Sequence, residues 1–456
     1  MSEPTDWNQP PHMQVPPPGP RSRRLAQRLA EVESRNVTYL ADDFPIFWEK
    51  SRGSNVWDAD GNRYVDLSGG FGVAVAGHRN RRVMQAIRRQ IGRLPHGMGD
   101  VHPPSLKVKL LENLAAVSPI PDSRIVLTCS GAEAVEVALK TARLATGKPG
   151  VIAFSGAYHG LTYGALAATD RDLFRAPFTD QLNPHVLRAP YPDPYRPAAG
   201  LDAGDPCAAA LGQLAAMLDA AEGAAVGAVI VEPIQGRGGD IVPPPGFLPG
   251  LADLCRRRGL LLIADEIYTG FGRTGRWFAC QHEGVVPDVV CVGKALSGTL
   301  PIAACIGSKA VMDAWPPSGG EAIHTSTFLG NPLACAAGLA SLGEIERRGL
   351  VERSAIEGER WIGELRDTLS RHLAVGEVRG RGLMIGVDLV SDRSTREPDP
   401  DLAGHVVTGA LRRGWIVLAG GPAGNVVSLS PPLTLSRTLM RAATTMLDEV
   451  IGGHLT

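Results

Sequence analysis

The chain has 456 residues, of which 44% are apolar and 20% charged, so it can bury a large core and is not a mainly disordered protein. A net charge of -1 and an isoelectric point of about 6.8 leave no basic footprint for nucleic acid or an anionic membrane. Apolar runs such as 223–231 fall far short of the ~20 residues of a membrane span, and seven cysteines with no C-x-x-C pair fit a reducing cytoplasm better than a disulfide or zinc framework.

Residues 1–24 are rich in proline and polar residues and lack the apolar centre of a secretory signal, so they are expected to form a disordered arm. Residues 25–76 are expected to join a smaller C-terminal unit, with short strands around a turn at 58–61. Helical spacing follows over 82–93. Over 77–345 a larger unit alternates short apolar runs (124–128, 151–154, 228–231, 260–264, 289–292 and 302–306) with helical stretches. Runs that are apolar at consecutive positions suit strands covered on both faces, as in a mostly parallel sheet with helices on each side. The stretch 132–144 has helical spacing and no Gly or Pro, and 190–206 reads as a loop. Over 346–456 the pattern gives helices at 356–372, 403–413 and 436–451 and strands at 383–389 and 426–429. The expected class is α/β, a large parallel-sheet domain with a smaller α+β domain.

Seven lysines are present, and Lys294 is set apart from the other six because it follows a buried apolar run, Val289–Val292. Desolvation lowers an amine's pKa and makes it a nucleophile. Asp265 ends another such run, one strand-helix unit earlier. Open α/β sheets bind ligands at the carboxyl ends of their strands, so the two suit one ligand held between them. Pyridoxal phosphate needs this pair: its aldehyde bonds to a lysine, and a carboxylate keeps its ring nitrogen protonated. At Ser130-Gly131-Ala132 a strand turns into a helix, and helix N-terminal amides suit a phosphate. Tyr158, before His159-Gly160, is placed to stack on a ring. The G-x-G-x-x-G match at 270–275 is a decoy, because five residues separate it from the strand end and no helix pattern opens there.

Together these residues resemble the class III aminotransferases, of fold type I among pyridoxal phosphate enzymes. The resemblance also rests on Glu232-Pro233-Ile234-Gln235-Gly236, Asp265-Glu266-Ile267-Tyr268-Thr269-Gly270 and His324-Thr325-Ser326-Thr327-Phe328. It implies that Lys294 bonds the cofactor and moves the substrate proton, and that Asp265 faces the pyridine nitrogen. Ile267 and Tyr158 would flank the ring, with Gly131 and Ala132 on the phosphate and Glu232 and Gln235 lining the cofactor side. Thr327 would reach the phosphate of a neighbouring subunit, in a homodimer with its sites at the subunit boundary. A ping-pong transfer from an amino donor to a carbonyl acceptor follows. The same scaffold also serves aminomutases, epimerases, decarboxylases and non-catalytic binding proteins.

Both carboxylate clamps of the family are missing. Ser428 stands where many members carry an arginine two residues before a final segment that here reads Ser430-Pro431-Pro432-Leu433, and Leu161 stands where others carry one after His-Gly. Arg237 occupies the place of the glutamate that shields the first arginine. A serine cannot replace a bidentate guanidinium. The expected acceptor therefore lacks a carboxylate next to its carbonyl: an ω-aldehyde, a diamine-derived aldehyde or an oxidised amino sugar of aminoglycoside type. Arg237, or less directly Arg35, would hold the donor carboxylate.

Overall fold

The structure, a computed structural model, describes residues 7–197 and 204–454. Its centre is a seven-stranded sheet. In chain order the strands are β1 (Ser123–Thr128), β2 (Gly150–Phe154), β3 (Val186–Ala189), β4 (Val226–Val231), β5 (Leu261–Asp265), β6 (Val289–Val292) and β7 (Ala303–Ser308). Their order across the sheet is β1-β7-β6-β5-β4-β2-β3. The pairs from β3 to β6 are parallel, and β7 runs antiparallel to both its neighbours. Strands β2, β4 and β6 are buried at every position, which is why their sequences are uninterrupted runs of small and β-branched residues. Helix Gly131–Thr146 lies on one face and buries Ala134, Val135, Val137 and Ala138. Ser130 caps it, its Oγ accepting from Glu133 N at 3.2 Å, and Gly147 ends it at φ 68°.

The carboxyl ends of β1, β2, β4, β5 and β6 all point to one edge of this sheet, because those strands share a direction. Cys129–Ser130, Tyr158, Glu232, Asp265 and Lys294 all follow those ends within a few residues. Two further sheets close over that edge. One joins Trp48–Arg52, Asn55–Asp58 and Arg63–Asp66 to Trp415–Ile416, which pairs in parallel with Arg63–Asp66. The other is antiparallel and includes Val375–Arg381, Met384–Asp392, Leu418–Gly420 and Val426–Leu429. Helices Leu350–Leu369, Pro400–Arg412 and Arg437–His454 accompany it.

The disordered arm expected over 1–24 is corrected for residues 7–24; residues 1–6 lie outside the described residues. Ser54 N donates to Trp7 O at 2.9 Å, Gln14 N to Asn62 Oδ1 at 2.7 Å, and His12 pairs with Arg63 through both backbone groups. Helix Pro20–Val32 opens on Asp60, which accepts from the amides of Arg21 and Ser22 at 2.7 and 2.9 Å. The segment is held mainly by backbone hydrogen bonds, with buried Pro17 and Pro18 and partly buried Met13 adding too little apolar sequence for hydropathy to register it. Within the expected loop at 190–206, residues 190–197 carry no helix or strand, and 198–203 lie outside the described residues. No helix among the described residues is long and apolar enough to cross a membrane.

Candidate active site

A cavity of about 370 Å³ opens at the sheet's carboxyl edge, lined among others by Gly131, Ala132, Tyr158, His159, Glu232, Asp265, Ile267 and Lys294. Sequence positions 163 residues apart, 131 and 294, thus meet because each follows a strand of one sheet. Lys294 stands at φ 40°, a left-handed conformation that a non-glycine residue adopts at a cost of about 1–3 kcal/mol. Its ammonium lies 4.0 Å from the centroid of the Tyr268 ring. Burial lowers its pKa from 10.5 to about 8, although Asp265 and Glu232 pull the other way.

Asp265 is buried and held from two sides. His159 Nδ1 is 2.7 Å from its Oδ2, and Ile267 N donates to its Oδ1 at 3.1 Å. The Nδ1–H tautomer makes His159 the donor, which fixes the carboxylate's orientation. His159 Nε2 is buried with no hydrogen-bond partner among the described residues. Glu232 accepts Tyr158 N at 2.9 Å and Gly236 N at 3.0 Å, and burial raises its pKa. It thereby ties the Tyr158 loop to the turn after β4.

The turn at Gly131 and Gly160 has little spare room. A Cβ on Gly131 would lie 2.8 Å from Ile267 Cδ1, and one on Gly160, at φ 124°, would lie 2.6 Å from the Cβ of Ala132. The amides of the helix's first turn have no acceptor inside the helix. Ser130 caps that helix but is absent from the cavity lining.

Arg237, Leu161 and Ser428 also line the cavity. Gln235 does not: it is buried, and its amide donates to Ser155 O at 2.8 Å. Arg35 and Thr327 are exposed and lie outside the lining. Tyr268, Ser68, Phe71, Thr269 and Ser430 line it without having been singled out from the sequence. Tyr268 is wedged between Gly72 and Gly236, and its hydroxyl donates to Ser430 Oγ at 2.8 Å. An aromatic inside the Asp265–Gly270 motif was the one visible signal for it.

The glycines of the 270–275 match serve packing. Gly275, at φ 91°, leaves a Cβ only 2.8 Å from Ala355 on helix Leu350–Leu369, and buried Arg273 donates to the carbonyls of Leu383 and Pro431 at 2.9 and 2.6 Å. No helix starts there, so nothing of a dinucleotide fold remains.

The family model for class III aminotransferases matches residues 38–451. A 4-aminobutyrate aminotransferase of Mycobacterium leprae is 41% identical over 445 residues, 95% of this chain and 96% of that one. A leucine/methionine racemase of Thermococcus litoralis is 36% identical, covering 94% of this chain and 96% of its own. The solved structure of an amine transaminase from an uncultivated Pseudomonas species superposes with a TM-score of 0.85 at 32% identity, over 92% of this chain and 98% of that one.

Proposed function

Since the chain belongs to the class III aminotransferases, which work with pyridoxal 5'-phosphate, we propose that it moves an amino group from an amino-acid donor to a carbonyl acceptor with no carboxylate beside the reacting carbon. The observation that carries this reading is the composition of the cavity wall. Among the described lining residues Arg237 is the one guanidinium, while Ser428 and Leu161 occupy the two places where a clamping arginine would otherwise stand. With those two places neutral, the wall suits a reacting end that carries no carboxylate, and Arg237 is left as the one bidentate partner, for the carboxylate of the amino acid. The relatives named for 4-aminobutyrate and 5-aminovalerate act on ω-amines, which transfer to an ω-aldehyde would produce, and this favours an ω-aldehyde over a diamine-derived aldehyde or an oxidised amino sugar.

The residues fit the cofactor. The unpartnered buried Nε2 of His159, the Gly131 cradle that a Cβ would fill, and the Lys294–Asp265 pair are polar atoms and spaces that suit it. Bound pyridoxal phosphate supplies an aldehyde and an electron-withdrawing ring that acidifies the carbon bearing the amine. The first-turn amides at Gly131 and Ala132 bind the phosphate. Asp265, oriented by His159, would accept a hydrogen bond from the ring nitrogen and so keep that nitrogen protonated. Ile267 and Tyr158 position the ring. Lys294, with its pKa near 8, is about one-tenth free amine at pH 7, far more than an exposed lysine, and would carry a proton on Nζ between substrate carbon and cofactor. Arg237 binds the donor carboxylate.

Exposed Met98, Val101, Ile323 and Phe328 surround the loop of Thr327 and support a homodimer in which that loop serves the neighbouring site. Seven free cysteines support a cytoplasmic setting. The racemase relative favours a second reading, inversion of an amino acid without transfer. A panel of amino donors with ω-aldehyde, amino-sugar and α-keto acid acceptors, read by mass, separates these. Transfer to aldehydes is expected; activity with α-keto acids alone, or inversion with no aminated acceptor, overturns the proposal. Arg237→Ala should slow the donor half-reaction about tenfold or more, and an unchanged rate removes its role.

A further inference from the structure

We propose that Tyr268 is a positioning residue for Lys294: the face of its ring holds the ammonium that forms when the lysine leaves its bond to the cofactor and takes the substrate proton. The inference deepens the reading above and rests on Lys294 as the reacting amine. Lys294 Nζ lies 4.0 Å from the centroid of the Tyr268 ring, and both residues line the cavity. An aromatic face carries partial negative charge, so it favours an ammonium over the neutral amine. The ring sits in a slot made by two glycines. Gly72, at φ 75°, lies against one ring edge, where a Cβ would come 2.5 Å from Cε2, and Gly236 lies against the other, where a Cβ would overlap Cδ1. The tip of the ring is tied as well. The Tyr268 hydroxyl donates to Ser430 Oγ at 2.8 Å, and Ser430 donates in turn to the carbonyl of Ser68 at 3.0 Å.

With both edges and the tip fixed, the ring keeps one orientation, its face toward Lys294. Burial and the charge of Asp240 raise the Tyr268 pKa, so the hydroxyl stays a neutral donor and the tether holds. A side chain that only filled space would need neither the tether nor the two glycines. The charges that face Lys294 divide by sign: Asp265 and Glu232 favour its ammonium, while Arg237 and Arg273 oppose it together with burial. Tyr268 adds a neutral contribution at direct contact. Removing the ring face therefore makes the ammonium less favourable while every formal charge around it stays the same. Lys294 works by gaining and losing one proton on Nζ, and an ammonium held over a fixed ring returns that proton from a fixed place.

The test compares the wild type with Tyr268→Leu, which keeps an apolar filler and loses the face, Tyr268→Phe, which keeps the face and loses the tether, and Gly236→Ala, which pushes the ring aside. In the cofactor-free protein, trace acylation with acetic anhydride from pH 6 to 10, mapped by mass against the other six lysines, reads the Lys294 pKa. Tyr268→Leu is expected to lower it by about half to one pH unit, Gly236→Ala to move it the same way, and Tyr268→Phe to keep it near the wild-type value. In the loaded enzyme, single turnovers with alanine should slow about tenfold in Tyr268→Leu, with a larger isotope effect for α-deuterated alanine, and Tyr268→Phe should recover most of the rate. A Lys294 pKa that stays put or rises in Tyr268→Leu and Gly236→Ala, or a Phe variant as impaired as the Leu variant, overturns the proposal. If Tyr268→Leu does not fold, Gly236→Ala and Tyr268→Phe decide by the same criteria. A borohydride label on Lys294 with no pKa change in the variants removes only the role of Tyr268, whereas a label on another lysine removes the reading beneath it.

Discussion

Replacing Lys294 with methionine should stabilise the cofactor-free protein near neutral pH, and the gain should vanish in alkali. Burial lowers the Lys294 pKa from 10.5 to about 8 against the pull of Asp265 and Glu232. At about 1.4 kcal/mol per pH unit, that drop corresponds to about 3 kcal/mol of penalty on the folded ammonium. Lys294 is only partly covered in an open cavity, so water screens some of this and a gain of about 1–3 kcal/mol is expected. The unfolded chain keeps the lysine proton up to pH 10.5, whereas the folded chain gives it up near pH 8. Between these values the unfolded state binds more protons, so wild-type stability relative to the variant rises with pH. Below pH 8 the penalty is present in full; above 10.5 it is gone. Urea unfolding of both cofactor-free proteins from pH 7 to 10.5 measures the difference. A variant less stable at pH 7, or a difference that does not change with pH, refutes the reasoning.

Asp265→Asn should leave the cofactor bound but lower kcat by about 10²-fold or more, because the ring nitrogen loses its proton partner, and a cofactor absorbance titration with steady-state rates checks both halves. Gly131→Val should weaken cofactor binding about tenfold or more, since even a Cβ would lie 2.8 Å from Ile267, and equilibrium dialysis measures it. Asp240→Asn should stabilise the protein above pH 7. Burial raises the Asp240 carboxyl to about 7, against the pull of nearby Ser428 and Arg379. The folded state therefore holds that proton up to pH 7 while the unfolded chain releases it near 3.8, so wild-type stability falls across this window. Melting temperatures of the two proteins should agree below pH 3.8 and diverge above it.

The strands of the central sheet were legible because burial on both faces demands uninterrupted apolar runs, as in Val226–Val231 and Val289–Val292. Strand β3 was missed: it is a half-covered edge carrying Arg188, so it lacks such a run. Val375–Arg381 escaped for a similar reason, being interrupted by Glu377 and Arg379, which pair with each other and, through Arg379, with Asp388 on the neighbouring strand. Helix Pro332–Arg347 was missed because so much of its surface is buried that its apolar residues form no stripe. In the site, Lys294 and Asp265 were readable as polar residues ending apolar strands. Tyr268, Ser68 and Ser430 were not, because their meeting depends on how the N- and C-terminal sheets close over the cavity. Local spacing carries no record of that contact.

The central claim is that Lys294 bonds covalently to the cofactor. Loading the protein with pyridoxal phosphate, reducing it with borohydride and mapping the digested peptides by mass tests this directly. The account predicts one modified lysine out of seven, at position 294, and loss of that label in Lys294→Met. A label on Lys50, Lys107 or any other lysine in preference to Lys294, or none on a fully loaded sample, contradicts it.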